Sequence, residues 1–551
     1  MPNSTLSPRN DLWVFREGKK DVSTADAVRA LRQSLEDLSN SCPGDRVIPA
    51  LLRAGELECG VADANSSVLW AAQEITDALA LALLGQCDAM PKIPTLLAAL
   101  HEGDLPARIL ISPAEGFAYY ALHPKDFAQL ALNCDVTGNC AVLGIRSIGT
   151  TLSAITLAAL RSRGCAVERI TVRPVGHPYQ RQTTFTTQQL EWLKRKHSLP
   201  THFIVTDEGP GRSGSSFLSV GEALEKQGVP ISRIKFFGSR PANATELCAP
   251  DAAIRWSRFD FLFPTPSSYQ RFGGDTYIGG GDWRSQLFAL NSHSPECWPQ
   301  MERLKFLSAD RRSFFKFEGL GHFGDLARQR SARIAAAGFS CPPEDGGDGM
   351  TCYPVIAGAC ENARSIARED LERIAQYCAF RAAEFRITSS VSSQLCEMVR
   401  FNVQTEFGVE LNINSLNAQK VLADGRMQPH EWIRRRDGVL MKVDASTHGD
   451  DHFFPGPTDI AWDLAGAITE WKLDPGGAFF LMERYDALSG DNVRQRIQAY
   501  LLAYSIFRFA YCLMASGTSM GPEDVVRLRA AAGYYRRVFQ NHLRKLRRRE
   551  D

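Results

Sequence analysis

The sequence predicts an α/β protein in which a parallel-sheet domain is followed by a bilobal α+β domain, with a mostly helical region before both. From about residue 106 to 260, short apolar segments alternate with helical patterns, which is typical of a parallel sheet with crossover helices. Further on, a strand-rich stretch at 310–355 precedes long helical patterns at 366–388 and 493–545. That order indicates a smaller β-rich lobe followed by a larger helical lobe.

Length and composition limit the function classes. The chain has 551 residues, which at about 150 residues per domain predicts three to four domains. Lys and Arg (63) nearly balance Asp and Glu (62), so the net charge is +1. We therefore expect no overall basic field for nucleic acid, and nucleic acid is not an expected partner. The 14 cysteines form no CxxC pair, which is typical of reduced cytoplasmic thiols rather than of a zinc ribbon.

No targeting or membrane segment is predicted. The first 20 residues are polar and lack the apolar stretch of a signal peptide. The apolar run at 68–84 contains Glu74 and Asp77, and the run at 500–514 contains Arg508. The second run is also shorter than the roughly 20 residues that a span needs. Both are predicted to be buried helices of a cytoplasmic protein without a membrane partner.

Composition and pattern changes divide the chain into five regions. Strands in the parallel-sheet domain are predicted at 107–112, 140–145, 167–172, 202–206 and 231–238. The segment 342–349 (PPEDGGDG) is predicted to be a solvated turn. The regions are a flexible tail at 1–20, a helical region at 21–105, the parallel-sheet domain at 106–260, the β-rich lobe with its connection at 261–360 and the helical lobe at 361–551.

The strongest functional signal follows the strand that ends at Thr206. Two adjacent acids, Asp207 and Glu208, are followed by a glycine- and serine-rich loop that opens a helix. Backbone N–H groups and hydroxyls of such a loop suit a phosphate, and the helix N-terminus adds favourable polarity. The carboxylates would repel that phosphate, so they are expected to accept hydrogen bonds from sugar hydroxyls or to bind Mg²⁺.

The segment 203–216 (FIVTDEGPGRSGSS) resembles the phosphoribosyl-diphosphate (PRPP) loop of type I phosphoribosyltransferases. This resemblance implies that Asp207 and Glu208 engage the ribose hydroxyls. The loop is one residue longer than is usual in that family, and Pro210 and Arg212 replace small or aliphatic residues. The residues that would hold the 5′-phosphate are Gly209, Gly211, Arg212, Ser213, Gly214, Ser215 and Ser216.

A second loop at a strand–helix junction supports this resemblance. The segment 143–151 (LGIRSIGTT) is similar to the diphosphate loop of the same family, which implies that Arg146 contacts the leaving group. A helix cap is the alternative role for Thr150. The segment 173–181 lies where the family keeps a mobile loop. The implied diphosphate-binding residues are Arg146, Ser147, Gly149, Thr150, Arg173, His177 and Arg181.

The implied activity is PRPP-dependent phosphoribosyl transfer to a base, nucleoside or nucleotide-like metabolite. Diphosphate is displaced at C1 of the ribose, with Mg²⁺ and basic groups on the leaving oxygens, and Asp207, Glu208 and Arg146 as the catalytic residues. A regulatory sensor that binds PRPP or a nucleotide without catalysis, in a stress or defence role, is the alternative. The partner is a small-molecule substrate. A homo-oligomer and a protein partner encoded in the same operon both remain open.

The C-terminal half has a second resemblance. The segments 442–445 (KVDA) and 457–465 (PTDIAWDLA) resemble those of aminoglycoside phosphotransferases and choline kinases. This resemblance implies that Asp444 binds Mg²⁺, that Asp463 braces the catalytic loop, and that Lys316 pairs with the phosphates of a nucleotide such as ATP.

The expected catalytic loop is altered. In the segment 424–432 (DGRMQPHEW), Arg426 stands in the place of the catalytic Asp and Glu431 in that of the metal-binding Asn. An arginine cannot take a proton from a hydroxyl. Asp424 and His430 are the candidate bases, and Glu431 joins Asp444 as a candidate Mg²⁺ ligand. The half is therefore either a kinase or a lobe that binds nucleotide or docks a substrate. The cluster at 448–452 (HGDDH) could hold a metal, but a polar loop after Asp444 is the favoured interpretation.

Overall fold

A computed structural model describes residues 12–15, 18–36, 38, 44–211, 213–287, 294–361, 366–387, 394–411, 413, 419–518 and 521–550. The chain divides into two compact units. The N-terminal unit comprises Gly18–Gly273 with Gly319–Phe323, and the C-terminal unit comprises Met1–Glu17, Gly274–Glu318 and Gly324–Asp551. The predicted helical region and the parallel sheet thus lie in one unit, and the β-rich and helical stretches lie in the other.

The N-terminal unit contains a parallel sheet, a small antiparallel sheet and the helices before and between their strands. Its strands are β1 (Lys20–Ser23), β2 (Arg108–Ile111), β3 (Asn139–Ile145), β4 (Ala166–Val172), β5 (Thr201–Thr206), β6 (Ile234–Phe237) and β7 (Asp260–Leu262). Its helices are α1 (Thr24–Glu36), α2 (Ile48–Asp63), α3 (Leu69–Leu83), α4 (Ile93–Glu102), α5 (Glu115–Ala118), α6 (Pro124–Asn133), α7 (Ile148–Ser162), α8 (Thr187–His197), α9 (Ser215–Lys226), α10 (Ala252–Trp256) and α11 (Ser267–Arg271).

The parallel sheet has the strand order β4-β3-β5-β6-β7. In the middle of β3, Leu143 pairs with Ile170 of β4 on one side and with Val205 of β5 on the other. β3 and β5 are almost wholly buried, as expected of parallel strands with helices on both faces. Their continuous apolar runs are the reason that the sequence predicts them well.

Two predictions about the start of the chain are corrected. The strand expected at 107–112 forms as β2, but it pairs antiparallel with β1 and stands outside the parallel sheet. β1 itself begins inside the segment predicted to be a flexible tail. Farther upstream, Leu12 and Val14 are buried in the core of the C-terminal unit, and the N–H of Trp13 donates to the side chain of Asn402. These apolar side chains are buried because that removes them from water.

The C-terminal unit combines two antiparallel sheets with long helices. Its strands are β8 (Thr276–Tyr277), β9 (Lys305–Leu307), β10 (Ser313–Phe317), β11 (Glu344–Gly347), β12 (Met350–Pro354), β13 (Gly358–Cys360), β14 (Trp432–Arg435) and β15 (Leu440–Lys442). Its helices are α12 (Trp283–Leu287), α13 (His322–Ala336), α14 (Arg368–Glu384), α15 (Leu395–Phe407), α16 (Ala461–Glu470), α17 (Pro475–Ser489), α18 (Ile497–Ser516) and α19 (Pro522–Glu550). The first two residues of α13 are counted with the N-terminal unit.

The larger sheet has the order β11-β12-β10-β9-β8, and the smaller has the order β13-β14-β15. The turn predicted at 342–349 is corrected, because β11 pairs with β12 as one arm of a hairpin. The helical core surrounds the fully buried rings of Trp432, Trp462 and Trp471. Aromatic side chains of this size contribute a large share of the apolar surface that folding removes from water.

α18 is the helix, among the residues that the structure describes, whose length and composition would allow it to cross a membrane. Of its most apolar stretch, 83% is buried inside the fold, which agrees with the predicted core helix. Among the residues that the structure describes, twelve cysteines are free thiols. Cys87 is in a disulfide bond, which the expectation of reduced thiols did not include.

Candidate functional sites

The first candidate site lies at the carboxyl edge of the parallel sheet, between β3 and β5. From β3 the chain crosses to β4 on one side and then returns to β5 on the other side. Open α/β sheets bind ligands beside such a reversal, at the carboxyl ends of the strands. The two loops singled out in the sequence follow β3 and β5, which run parallel in register, so both loops lie at this edge.

Gly149 brings the two loops into contact. In the first turn of α7, a Cβ atom at Gly149 would lie 2.6 Å from the carbonyl oxygen of Thr206 and 3.6 Å from the Cα of Asp207. Just before α7, Ser147 has a φ of +115°, a strained value for a residue with a side chain, and such strain is concentrated at functional sites. The turn that carries Arg146 therefore lies against the start of the acidic pair.

The two acids hold protons more strongly than usual. Asp207 Oδ1 accepts the N–H of Glu208 at 2.8 Å. Burial raises the pKa of Asp207 to about 7. Burial, and then the negative charges of Glu115 and Asp207, raise the pKa of Glu208 to about 8. Near neutral pH the pair can thus both donate and accept hydrogen bonds, which suits hydroxyl groups of a sugar.

The predicted phosphate loop is hydrogen-bonded to the segment that contains Pro178. Gly214 has a left-handed φ of +70° and is the residue before α9. The hydroxyls of Ser213 and Ser215 donate to the carbonyl oxygen of Pro178, at 2.9 and 2.6 Å. Ser216 is half-buried in the first turn of α9. Gly209 and Gly211 lie in the turn after the acids, and Arg212 lies outside the described residues.

Arg146 and Arg173 share one carboxylate, that of Asp63. Arg146 Nη1 lies 3.1 Å from Asp63 Oδ1, and Arg173 Nε also donates to Oδ1 at 3.1 Å. Arg173 donates in addition to the carbonyl oxygen of Arg146 at 2.8 Å. Two guanidinium groups against one carboxylate leave a net positive charge at this end of the site. Asp63 is the last residue of α2, and sequence reasoning missed it.

Three other predicted diphosphate-binding residues have local surroundings that the sequence did not show. Thr150 is fully buried within α7, and its N–H donates to the carbonyl oxygen of Ser147. This corrects the predicted contact of its hydroxyl with diphosphate and leaves it a helix residue. His177 and Arg181 lie on a hairpin that is closed by backbone bonds between Val175 and Gln182. Arg181 donates to the carbonyl oxygen of Gly176 at 2.9 Å, and His177 Nδ1 accepts the N–H of Tyr179 at 3.2 Å.

The second candidate site is a cavity of about 570 Å³ in the C-terminal unit. Its wall includes strands of both antiparallel sheets, the altered loop at 424–432 and the residues after β15. Acidic, basic and apolar side chains all line this wall. The basic residues that line it are Arg303, Lys305, Lys316, Arg426, Lys442 and Arg508.

Lys316 and Asp444, to which the kinase resemblance gives separate roles, lie together in this cavity. Lys316 Nζ donates to the carboxylate of Asp444 and to Thr447 Oγ1 at 3.1 Å. Asp444 follows β15 with a left-handed φ of +56°. Although burial opposes ionisation, Lys316, His448 and Lys305 hold the pKa of Asp444 well below its usual range. Asp444 is therefore an ionised partner of Lys316.

Asp463 is hydrogen-bonded to the backbone of the altered loop. Its carboxylate accepts the backbone N–H of Asp424 at 2.8 Å and that of Gly425 at 2.9 Å. Asp424 is fully buried, and the hydroxyl of Tyr377 donates to its carboxylate. The proposal that Asp424 acts as a base is corrected, because a carboxylate enclosed in this way cannot reach a substrate. Its role is structural.

The other candidate base is corrected as well. The ring of His430 stacks on that of Trp283, with centroids 5.6 Å apart. Burial and the charge of Arg426 lower the pKa of His430 to about 3, so it is a weak proton acceptor near neutral pH. Arg426 is half-buried and lines the cavity. Within the described part of the chain, its guanidinium makes no hydrogen bond or ion pair.

The predicted metal ligands are not brought together as expected. The group whose ligand atoms lie within 4.8 Å of one another is Asp424, Glu431 and His448, without Asp444. The sequence favoured a polar loop for the cluster that contains His448, with a metal site as the alternative, and the structure puts His448 Nε2 3.4 Å from Asp444. It also missed Lys442, whose Nζ lies 2.9 Å from Glu431 Oε2. The signal available for Lys442 was its position two residues before Asp444.

No family model and no curated protein matches this sequence. The fold is similar to choline kinase LicA from Streptococcus pneumoniae, with 13% identity, a TM-score of 0.29, and coverage of 42% of this chain and 89% of that chain. It is also similar to a choline/ethanolamine kinase family protein from Mesorhizobium loti, with 16% identity, a TM-score of 0.31, and coverage of 44% and 88%. A third similar structure is the GDP complex of aminoglycoside 2′-phosphotransferase-IIIa, with 9% identity, a TM-score of 0.28, and coverage of 47% and 96%. These similarities are too distant to assign a reaction to this chain. The phosphoribosyltransferase resemblance stays a prediction.

Proposed function

We propose that the N-terminal unit binds PRPP and transfers its phosphoribosyl group to a base, nucleoside or nucleotide-like metabolite. The observation that carries this proposal is the contact of Gly149 with Thr206, where a Cβ atom would lie 2.6 Å from the carbonyl oxygen. This contact joins the arginine-bearing turn and the acidic pair at one edge of the sheet. A ligand that needs both anion contacts and hydroxyl acceptors would find both at this edge.

The charges at this edge suit the parts of PRPP. Asp207 and Glu208 would accept hydrogen bonds from the ribose hydroxyls, and the start of α9 would bind the 5′-phosphate. Arg146 and Arg173 would bind the diphosphate. In the reaction the C1–O bond breaks, diphosphate leaves with the electron pair, and a C1–N bond forms to the acceptor, whose proton is released to solvent. Exclusion of water favours transfer over hydrolysis.

For the C-terminal unit we propose nucleotide binding rather than phosphoryl transfer. A cavity of about 570 Å³ is within the size range of small-molecule sites, about 300–1,000 Å³. The pair formed by Lys316 and Asp444 supports a phosphate-binding role for this cavity. Phosphoryl transfer would need a general base, and neither candidate from the sequence can act as one, because Asp424 is enclosed and His430 has a pKa of about 3. Arg426 stands in the place of the catalytic Asp.

The test of the first proposal is diphosphate release from PRPP by the full-length protein, with Mg²⁺ and a pool of purine and pyrimidine bases. Release that is lost when Asp207→Asn and Glu208→Gln are combined supports the proposal. The matched control combines Asp251→Asn with Glu191→Gln, since both of those side chains are exposed. This control should retain release.

The sensor alternative predicts a different pair of results. PRPP would then raise the melting temperature of the protein, and no diphosphate would be released with any acceptor. The double substitution at Asp207 and Glu208 would abolish this stabilisation. Unchanged PRPP binding in that variant would contradict both the enzyme and the sensor, because both place PRPP on the same two acids.

A further inference from the structure

The kinase resemblance implies that Asp444 and Glu431 bind Mg²⁺ in the C-terminal unit. Whether these carboxylates can bind the ion depends on the groups that already contact them. Lys442 Nζ lies 2.9 Å from Glu431 Oε2 and 3.4 Å from Asp424 Oδ2. The side chain of Lys442 is fully buried. Two of the three groups that could ligate a metal, Asp424 and Glu431, are therefore already joined by an ammonium group, which stands in the place of a metal ion.

Lysine side chains also lie against the carboxylate of Asp444. Besides the hydrogen bond from Lys316, its Oδ2 lies 3.7 Å from Lys305 Nζ. Lys305 and Lys316 are directly paired across β9 and β10, so both side chains lie on the same face of the sheet. A divalent cation near Asp444 would meet these ammonium groups at short range in a poorly solvated site, where like charges repel strongly. The residues present do not fit Mg²⁺.

One cation of this cavity is held less closely than the lysines. Arg426 lines the cavity and, within the described part of the chain, its guanidinium makes no hydrogen bond or salt bridge, although Glu431 and Asp444 attract it at longer range. It stands where the kinase resemblance expects a carboxylate, so the charge of this position is reversed. The planar guanidinium group matches two phosphate oxygens at once and keeps its charge at any physiological pH. Such a group attracts an anion and repels a metal.

We propose that the C-terminal unit binds the phosphate groups of its nucleotide without a divalent cation. Arg426 contacts the phosphates, and Lys442 holds Glu431 and Asp424 together in the place of the metal. This inference rests on the proposed nucleotide site and states how the charge of the ligand is neutralised there.

The test is the binding of a fluorescent ATP analogue to the full-length protein, once in EDTA and once in MgCl₂. The two dissociation constants should agree within about threefold, because the side chains supply the positive charge. Arg426→Asp should weaken binding in EDTA by at least about tenfold, which corresponds to about 1.4 kcal/mol. Arg436→Asp makes the same charge change at an exposed position and should leave binding unchanged.

The outcomes separate the two proposals. Binding that weakens more than about tenfold in EDTA would overturn the metal-free site and leave the nucleotide site standing. Equal weakening by Arg426→Asp and Arg436→Asp would overturn the role of Arg426. Absence of binding in both buffers would overturn the nucleotide site, and the inference with it.

A second measurement needs no nucleotide. Electron paramagnetic resonance of Mn²⁺ added to the wild-type protein should detect no bound ion whose signal depends on Glu431. Lys442→Gln, if circular dichroism shows that it is folded, should gain one bound Mn²⁺, because Asp424, Glu431 and His448 lose their internal ammonium. A Mn²⁺ ion that wild type binds and Glu431→Gln loses would overturn the proposal, whether or not Lys442→Gln folds.

Discussion

The carboxylate of Asp463 accepts the backbone N–H of Asp424 at 2.8 Å, and both acids are fully buried. Arg381 adds a positive charge 3.7 Å from Asp424 and 4.0 Å from Asp463. Asp424 stays ionised, since Lys442, His448 and Arg381 lower its pKa although burial opposes them. The consequence is a rigid loop that presents Arg426, two residues further on, to the cavity.

The first prediction concerns this brace. Asp463→Ala leaves two buried N–H groups without their acceptor, and each unsatisfied group costs about 1–3 kcal/mol. We expect the free energy of unfolding of the C-terminal unit to fall by about 2–6 kcal/mol, measured from the urea midpoint by circular dichroism. Asp437→Ala, at an exposed position in the turn between β14 and β15, is the control. Equal midpoints for the two variants would show that the brace does not stabilise the loop.

The second prediction concerns the contact between the two loops of the parallel-sheet edge. In Gly149→Ala the new methyl group would lie 2.6 Å from the carbonyl oxygen of Thr206, so α7 must move away from β5. We expect PRPP affinity to fall by at least about tenfold, measured by calorimetry. Gly273→Ala is the control, because its Cβ atom would be 3.4 Å from the nearest atom. If both variants bind PRPP like wild type, the loops do not form one site.

The third prediction concerns pH. The folded protein raises the pKa of Asp207 to about 7 and that of Glu208 to about 8, whereas the unfolded chain releases these protons near pH 4. Between pH 5 and 8 the folded state thus binds more protons, so the stability of the N-terminal unit falls as pH rises. The drop in melting temperature from pH 6 to pH 9 should be smaller in the variant that combines Asp207→Asn with Glu208→Gln.

The exposed acids again provide the comparison. The variant that combines Asp251→Asn with Glu191→Gln should lose as much stability between pH 6 and pH 9 as wild type does. If the variant at Asp207 and Glu208 loses just as much as this control, the two acids are not buried as the structure places them, and their raised pKa values are wrong.

What the sequence could predict depended on local signals. The parallel strands were found because each is a continuous apolar run. The roles of Asp444 and Asp463 come only from a resemblance, so they stay predictions. β11 (EDGG) was missed because it contains no apolar residue. Its strand conformation comes from hydrogen bonds to β12, which no local pattern of residues reports.

The parts of the sites that sequence reasoning missed depend on distant contacts. Asp63 is 110 positions from Arg173, and nothing around Asp63 marks it as a partner of a loop residue. The burial of Asp424 is equally invisible, because the enclosing hydroxyl of Tyr377 is 47 positions away. Sequence reasoning could therefore name Asp424 as a base, and the surroundings that forbid this role come from tertiary packing.

The last prediction concerns the carboxylate that Arg146 and Arg173 share. Asp63 competes with any anion for these two guanidinium groups, so Asp63→Asn should release positive charge at the diphosphate end of the site. We expect the affinity for PRPP to rise by about three- to tenfold at low salt, since each partner charge near a surface contributes on the order of 1 kcal/mol. Asp45→Asn breaks the exposed ion pair with Lys125 and should leave affinity unchanged. A lower affinity in Asp63→Asn would contradict this competition, because it would mean that Asp63 positions the two arginines for the anion.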